Sequence, residues 1–207
     1  RLEFGTGRGA SLYHIEAFGV SGDESRDVWD EALRVICDLF TQDMFPGHKG
    51  KYYDIPARKL VPKPLQKPHP PLWVTVTSPG TELDAADRGL GCLGVAAAGY
   101  AEQERRTNEY FRRIENCDPV GGVVTREVTT LNFLYCHEDA AVAAKTGMGM
   151  VGAFGLANSH LMWTREAYPT RAYQSLGNLA PRTDGARSGG PGDAYGIPEG
   201  IIYGFPV

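Results

Sequence analysis

The sequence predicts an α/β fold built on a parallel sheet. Apolar or Thr-rich runs alternate with amphipathic stretches along most of the chain, and strict alternation of strands and helices implies parallel strands. The runs are near-continuous rather than alternating, as in strands covered on both faces. The βα units are four in about 170 residues, half of an eightfold barrel that takes about 250. A doubly wound open sheet is the rival arrangement.

Leu2 and Phe4 alternate with Arg1 and Glu3, which marks an opening strand, and Gly5, Gly7 and Gly9 then supply a turn. Residues 10–22 connect it to a helix over 24–40, with Ser21 or Asp23 as its cap. Trp29, Leu33, Ile36 and Phe40 form that helix's apolar stripe, and Asp27, Asp30, Glu31, Arg34 and Asp38 face away. Residues 45–70 are a Pro-rich excursion in which Tyr52, Tyr53 and Ile55 mark a short strand. A strong strand, Leu72 to Thr77, follows. Ser78-Pro79-Gly80-Thr81 starts a helix through Arg88 that Gly89 ends. Cys92 to Ala96 is a short strand. Ala101 to Asn116 is a polar helix with Tyr110, Phe111 and Ile114 on its apolar face. Arg126 to Tyr135 is a strand, and the helix from Asp139 is interrupted by Gly147, Gly149 and Gly152. Residues 177–200, rich in Gly, Pro and Asp, are expected to form a mobile loop.

The 207 residues suffice for one domain with a sizeable core. A net charge of -4 offers no basic surface for nucleic acid. No apolar run approaches the roughly 18 residues that span a membrane. Cys37, Cys92, Cys117 and Cys136 lack any C-x-x-C spacing. A disulfide framework is one reading of four cysteines, and reduced thiols in a cytoplasmic protein are the expected one. His14, His48, His69, His137 and His160 show no metal spacing, so no metal is expected. His69, between prolines, reads as structural. Trp163, Tyr168 and Tyr173 form an aromatic cluster read as core, with a pocket lid as the alternative.

A strand, a glycine turn and two arginines, Arg8 and Arg26, suit a phosphate monoester. Arg26 lies in the first turn of a helix, where the dipole disfavours a cation. A bound anion would resolve this, as would an ion pair with Asp23 or Asp30. Thr77, Ser78 and Thr81 follow a strand and open a helix, so they either touch an anion or, for Ser78, cap the helix. His14 faces either the substrate pocket or solvent. The Gly-x-Gly-x-Gly run lacks the spacing of a dinucleotide-binding turn.

Phe4-Gly5-Thr6-Gly7-Arg8-Gly9, Ala17-Phe18-Gly19-Val20, Glu24-Ser25-Arg26 and Trp29-x-Glu31-x-Leu33 together resemble the middle of the bacterial luciferase-like flavin-dependent monooxygenases. Pro64-Leu65-Gln66-Lys67-Pro68-His69-Pro70-Pro71-Leu72-Trp73-Val74 resembles their segment before the fifth strand, and Thr77-Ser78-Pro79-x-Thr81 the turn after it. Gly204-x-Pro206 resembles the turn before their last helix.

The resemblance implies a TIM-type (β/α)8 barrel, incomplete, running from about the fourth strand to just before the last helix. Residues 1–207 would then be one domain truncated at both ends. It also implies reduced FMN as cofactor, with Gly7, Arg8, Arg26, Thr77, Ser78 and Thr81 around it and Arg8 on its phosphate. The implied reaction is oxygenation of a small organic substrate by O₂. A flavin reductase and a homodimer are the implied partners. The ring-side histidine of the family would lie upstream of residue 1. Gly7 stands where the luciferase α chain has a cysteine, which argues against light emission. Two alternatives are a deazaflavin-dependent hydride-transfer enzyme of the same fold and a non-catalytic flavin-binding barrel.

Overall fold

In the computed structural model, residues 2–9, 15, 17–77, 80–95, 100–131 and 133–162 are described. Four parallel strands form one sheet in sequential order: β1 (Phe4–Thr6), β4 (Leu72–Val76), β5 (Gly91–Val95) and β6 (Val128–Leu131). A two-stranded antiparallel hairpin, β2 (His48–Lys49) and β3 (Asp54–Ile55), lies within the excursion. The helices are α1 (Ser25–Thr41), α2 (Thr81–Asp87), α3 (Tyr100–Ile114) and α4 (Ala140–Met162).

The registers pair Gly5 with Trp73 and Trp73 with Gly91, and carry Thr75 to Leu93 and Leu93 to Thr129. Side chains alternate across such strands. Leu72, Val74, Val76 and Cys92 enter one core with Trp29 and Leu33 of α1, Ala85 and Ala86 of α2, and Tyr110 and Ile114 of α3. Phe4 packs on that core and meets Phe40 edge-on at 5.3 Å. The opposite face carries Gly5, Trp73, Thr75 and Leu93. It is not covered throughout, because Thr75 and the outer part of β6 are exposed. The expectation of strands covered on both faces therefore holds for one face only.

Local chemistry explains where the elements begin and end. The amphipathic stripe of α1 is as expected, but neither Ser21 nor Asp23 caps it. Glu24 holds the cap position without a side-chain bond, and Ser25 Oγ donates to Gly22 O at 2.7 Å. Lys63 Nζ donates to Leu39 O at 2.5 Å and to Gln42 O, so a cation from the excursion meets the negative end of α1. Gly80, at φ 89°, precedes α2, and Gly89, at φ 68°, follows its end. Helix α4 runs through Gly147, Gly149 and Gly152 without the expected break. Asp139 Oδ1 accepts from the amides of Ala141 and Val142 at 2.8 and 3.0 Å, an N-cap that supports the following alanines. Strand β6 is shorter than the expected Arg126–Tyr135 run.

Buried His69 sits with Nδ1 2.7 Å from Pro70 O and Nε2 2.8 Å from Gly121 O, the structural role expected of it. All four cysteines are free. No helix among the described residues is long and apolar enough to cross a membrane. The aromatic cluster at 163–173 and the segment 177–200 lie outside the described residues.

Candidate functional site

Strands β1 and β4 are neighbours, so the turns that leave their C-terminal ends lie side by side. This is the end at which barrel enzymes bind ligands. Strand β1 reaches Thr6, two residues beyond the Phe4 that the sequence suggests, and Gly5 is therefore a strand residue. The turn proper is Gly7-Arg8-Gly9, with Gly9 at φ 101°.

Thr6 fixes this turn to the core. Its hydroxyl donates to Trp73 O at 2.8 Å and accepts from Trp29 Nε1 at 3.1 Å. Arg88 stacks over the Trp29 ring at 5.4 Å and donates to Asp30 at 2.5 Å. With Thr6 turned toward the helices, the facing side of β1 is left to glycine. A Cβ on Gly7 would stand 3.7 Å from Thr75 Oγ1, so the two positions are in van der Waals contact.

Arg8 has no ion-pair partner among the described residues. Arg26 has one, and it is neither Asp23 nor Asp30: the guanidinium pairs with Asp84 of α2. Burial, then the charges of Arg8 and Arg88, push Arg26 below its ordinary value. Two guanidiniums close enough to repel thus flank the turn after β1. Thr77 is exposed just past β4, and Thr81 is buried at the start of α2. Ser78 and His14 lie outside the described residues. The structure therefore brings Gly7, Arg8 and Arg26 together with the end of β4.

A cavity of about 470 Å³ lies between β1, its turn and α1. Val28, Trp29, Ala32 and Ile36 give it an apolar wall, while Arg8 and Tyr53 reach it from the turn and the hairpin. Tyr53 is held by Glu31 of α1, whose carboxylate accepts from the amides of Lys51, Tyr52 and Tyr53 at 2.9–3.2 Å and meets His48 Nε2 at 3.0 Å. Burial alone would raise the Glu31 carboxyl, but the bonds from His48, Tyr53 and Tyr52 take it below its ordinary value. At Gly50 a Cβ would come within 2.2 Å of Glu31 Oε1, so only glycine lets the hairpin close on the carboxylate.

Thr75, Tyr53 and Asp84 are the site residues that sequence reasoning missed. Strand alternation signals Thr75, the polar position between Val74 and Val76. Nothing local signals Asp84 or Tyr53, whose neighbours come from distant segments. No group of three or more His, Cys, Asp or Glu able to hold a metal occurs among the described residues.

A parallel sheet of βα units in sequential strand order, with a glycine turn and Arg8 after its first strand, has the α/β architecture of half a barrel. The family model for luciferase-like monooxygenases matches residues 1–190, and the chain belongs to that family. It is 28% identical over 153 residues to the oxygenase component of flavin-dependent trigonelline monooxygenase from Acinetobacter baylyi, covering 70% of this chain and 40% of that protein. Its fold matches the oxygenating constituent of 3,6-diketocamphane monooxygenase from Pseudomonas putida, in complex with FMN, with a TM-score of 0.56 and 16% identity over 78% of this chain and 52% of that one. It also matches an F420-dependent secondary alcohol dehydrogenase in complex with an F420–acetone adduct, with a TM-score of 0.58 and 22% identity over 87% and 53% of the two chains. The chain thus spans about half the length, or less, of these relatives.

Proposed function

We propose that this chain forms the phosphate-holding part of an FMN-dependent monooxygenase. The observation that carries the reading is Arg8, which has no ion-pair partner among the described residues, feels the charge of Arg26 and follows Gly7, the residue that meets Thr75 at the end of β4. A planar guanidinium with free donors suits phosphate oxygens, and the glycine turn leaves room for a ligand to approach the backbone. These residues fit a phosphate monoester. Arg8 would bind it, Arg26 would add charge, Thr77, Ser78 and Thr81 would offer hydroxyls and amides, and Gly7 would leave room beside Thr75. Reduced FMN supplies the electrons with which O₂ oxygenates a small organic substrate. His14 is assigned to the substrate pocket from the sequence alone. A separate reductase provides the flavin, and the protein works as a homodimer in the cytoplasm.

The second reading is hydride transfer from a deazaflavin coenzyme, favoured by the fold match to the F420-dependent enzyme. Anaerobic titration of the full chain with reduced FMN and with reduced deazaflavin coenzyme separates the two. One charge-assisted hydrogen bond contributes about 1.5–3 kcal/mol, so Arg8→Ala is expected to weaken FMN by about 10- to 150-fold. FMN binding lost in the variant supports the first reading. Deazaflavin binding alone moves the function to hydride transfer, and binding of neither refutes both.

A further inference from the structure

We propose that Asp84 is a resident counter-ion that competes with the flavin phosphate for Arg26 and thereby sets how readily the cofactor exchanges. The inference rests on the phosphate-site reading above.

Arg26 begins α1, the helix after β1, and Asp84 lies on α2, the helix after β4. Their ion pair therefore bridges the two βα units whose turns flank the site. Arg8 and Arg88 repel Arg26, while Asp27 and Asp30 attract it, as does Asp87, which is itself bonded to Arg113. Asp30 is committed elsewhere, to Arg88 at 2.5 Å and Arg34 at 3.0 Å. Asp84 is thus the carboxylate bonded to Arg26 among the described residues. The Arg26 side chain keeps half its surface exposed, and Asp84 keeps about a fifth. The pair lies at the rim, where an incoming anion can reach it.

A guanidinium has five donors in a plane. It can hold Asp84 through one nitrogen and offer the others to phosphate. The price is a carboxylate beside the incoming dianion. Arg8 and Arg26 bring two positive charges and Asp84 returns one negative, so the site holds its anion with one net charge rather than two. A cofactor that must arrive and leave in each cycle is suited by such a site.

The test is a fluorescence titration of the full chain with FMN and with riboflavin, which lacks the phosphate, for the parent, Asp84→Asn and Asp84→Ser. Both substitutions remove the charge, and Asn keeps an acceptor for Arg26. A unit-charge repulsion at contact range in water predicts FMN binding tighter by about 3- to 10-fold in Asp84→Asn. Riboflavin is expected to bind as before, and FMN release to slow in proportion. The gain is expected to vanish in Asp84→Asn/Arg26→Gln. Unchanged or weaker FMN binding in both single variants overturns the proposal, as does an equal shift for riboflavin. Arg8→Ala, run alongside, separates the failures. If it leaves FMN and riboflavin indistinguishable from the parent, the phosphate site itself is refuted. If it weakens FMN alone while Asp84→Asn does nothing, only the counter-ion role falls.

Discussion

Gly91→Ala tests whether the open face of the sheet is shaped by glycine. Gly91 pairs in register with Trp73, which pairs with Gly5, so an indole is laid between two residues without side chains. A Cβ on Gly91 would lie 2.4 Å from Trp73 Cε3 and 2.8 Å from Cδ2 and Cζ3. Carbon atoms in contact prefer about 3.5–4.0 Å, so the ring must move by about 1 Å. It cannot do so freely, because Trp73 is buried and its Nε1 donates to Glu3 Oε2 at 2.9 Å. Overpacking of this kind costs about 1–3 kcal/mol, and a weakened bond to a carboxylate adds to it. In a domain of this size each kcal/mol moves Tm by about 2–4 °C, so Gly91→Ala is expected to lower Tm by roughly 4–12 °C. Trp73→Leu in the same background removes the collision, and the double variant is expected to be less destabilised than the two single losses summed. Differential scanning calorimetry on the four proteins reads the cycle. A Gly91→Ala variant within about 1 °C of the parent, or additive losses, would refute the reasoning.

Two further outcomes follow from the pKa shifts. The Glu31 carboxyl is held below its ordinary value, so its stabilising effect is present above the ordinary carboxylate range and is lost as the pH falls through the lowered value. Hydrogen-exchange protection at the Tyr52 and Tyr53 amides is expected to fall in acid, and to be low already at neutral pH in Glu31→Gln. Unchanged protection in that variant would exclude the carboxylate as the hairpin's anchor. Burial pushes the Cys37 thiol up to about 11 and the Cys92 thiol up to about 12, whereas Cys136 is exposed. Iodoacetamide in mildly alkaline buffer is therefore expected to modify Cys136 first, and Cys37 and Cys92 only in denaturant, as read by peptide mass spectrometry.

Where the sequence was readable, one physical rule dominated each segment. The 3.6-residue stripe through Trp29 and Leu33 fixes α1, and the run from Leu72 to Val76 fixes β4, because burial against a core is what those patterns encode. The glycine turn carrying Arg8 was also legible, since glycine alone readily takes the positive φ found at Gly9. The misreadings have a common origin in partners far along the chain. Arg26 looked for Asp23 or Asp30 nearby, and its carboxylate came from α2. The Pro-rich excursion and its short strand were legible, but not that Glu31 and the end of α1 hold it through the hairpin and Lys63. The glycines of α4 read as breaks, although their cost of about 1 kcal/mol each is offset by the Asp139 cap and surrounding helix formers. Propensity sums over neighbours, whereas an ion pair or a cap is decided by one atom in the right place.

The hydrogen bonds that tether β1 also make the protein its own optical probe. Of the three tryptophans in the chain, Trp29 bonds Thr6 and Trp73 bonds Glu3, so two indoles report on the strand that leads into the Arg8 turn. Their emission overlaps the near-ultraviolet absorption of a flavin. A flavin bound at that turn, as proposed, would quench them by energy transfer, and its arrival and departure could be timed without any added label.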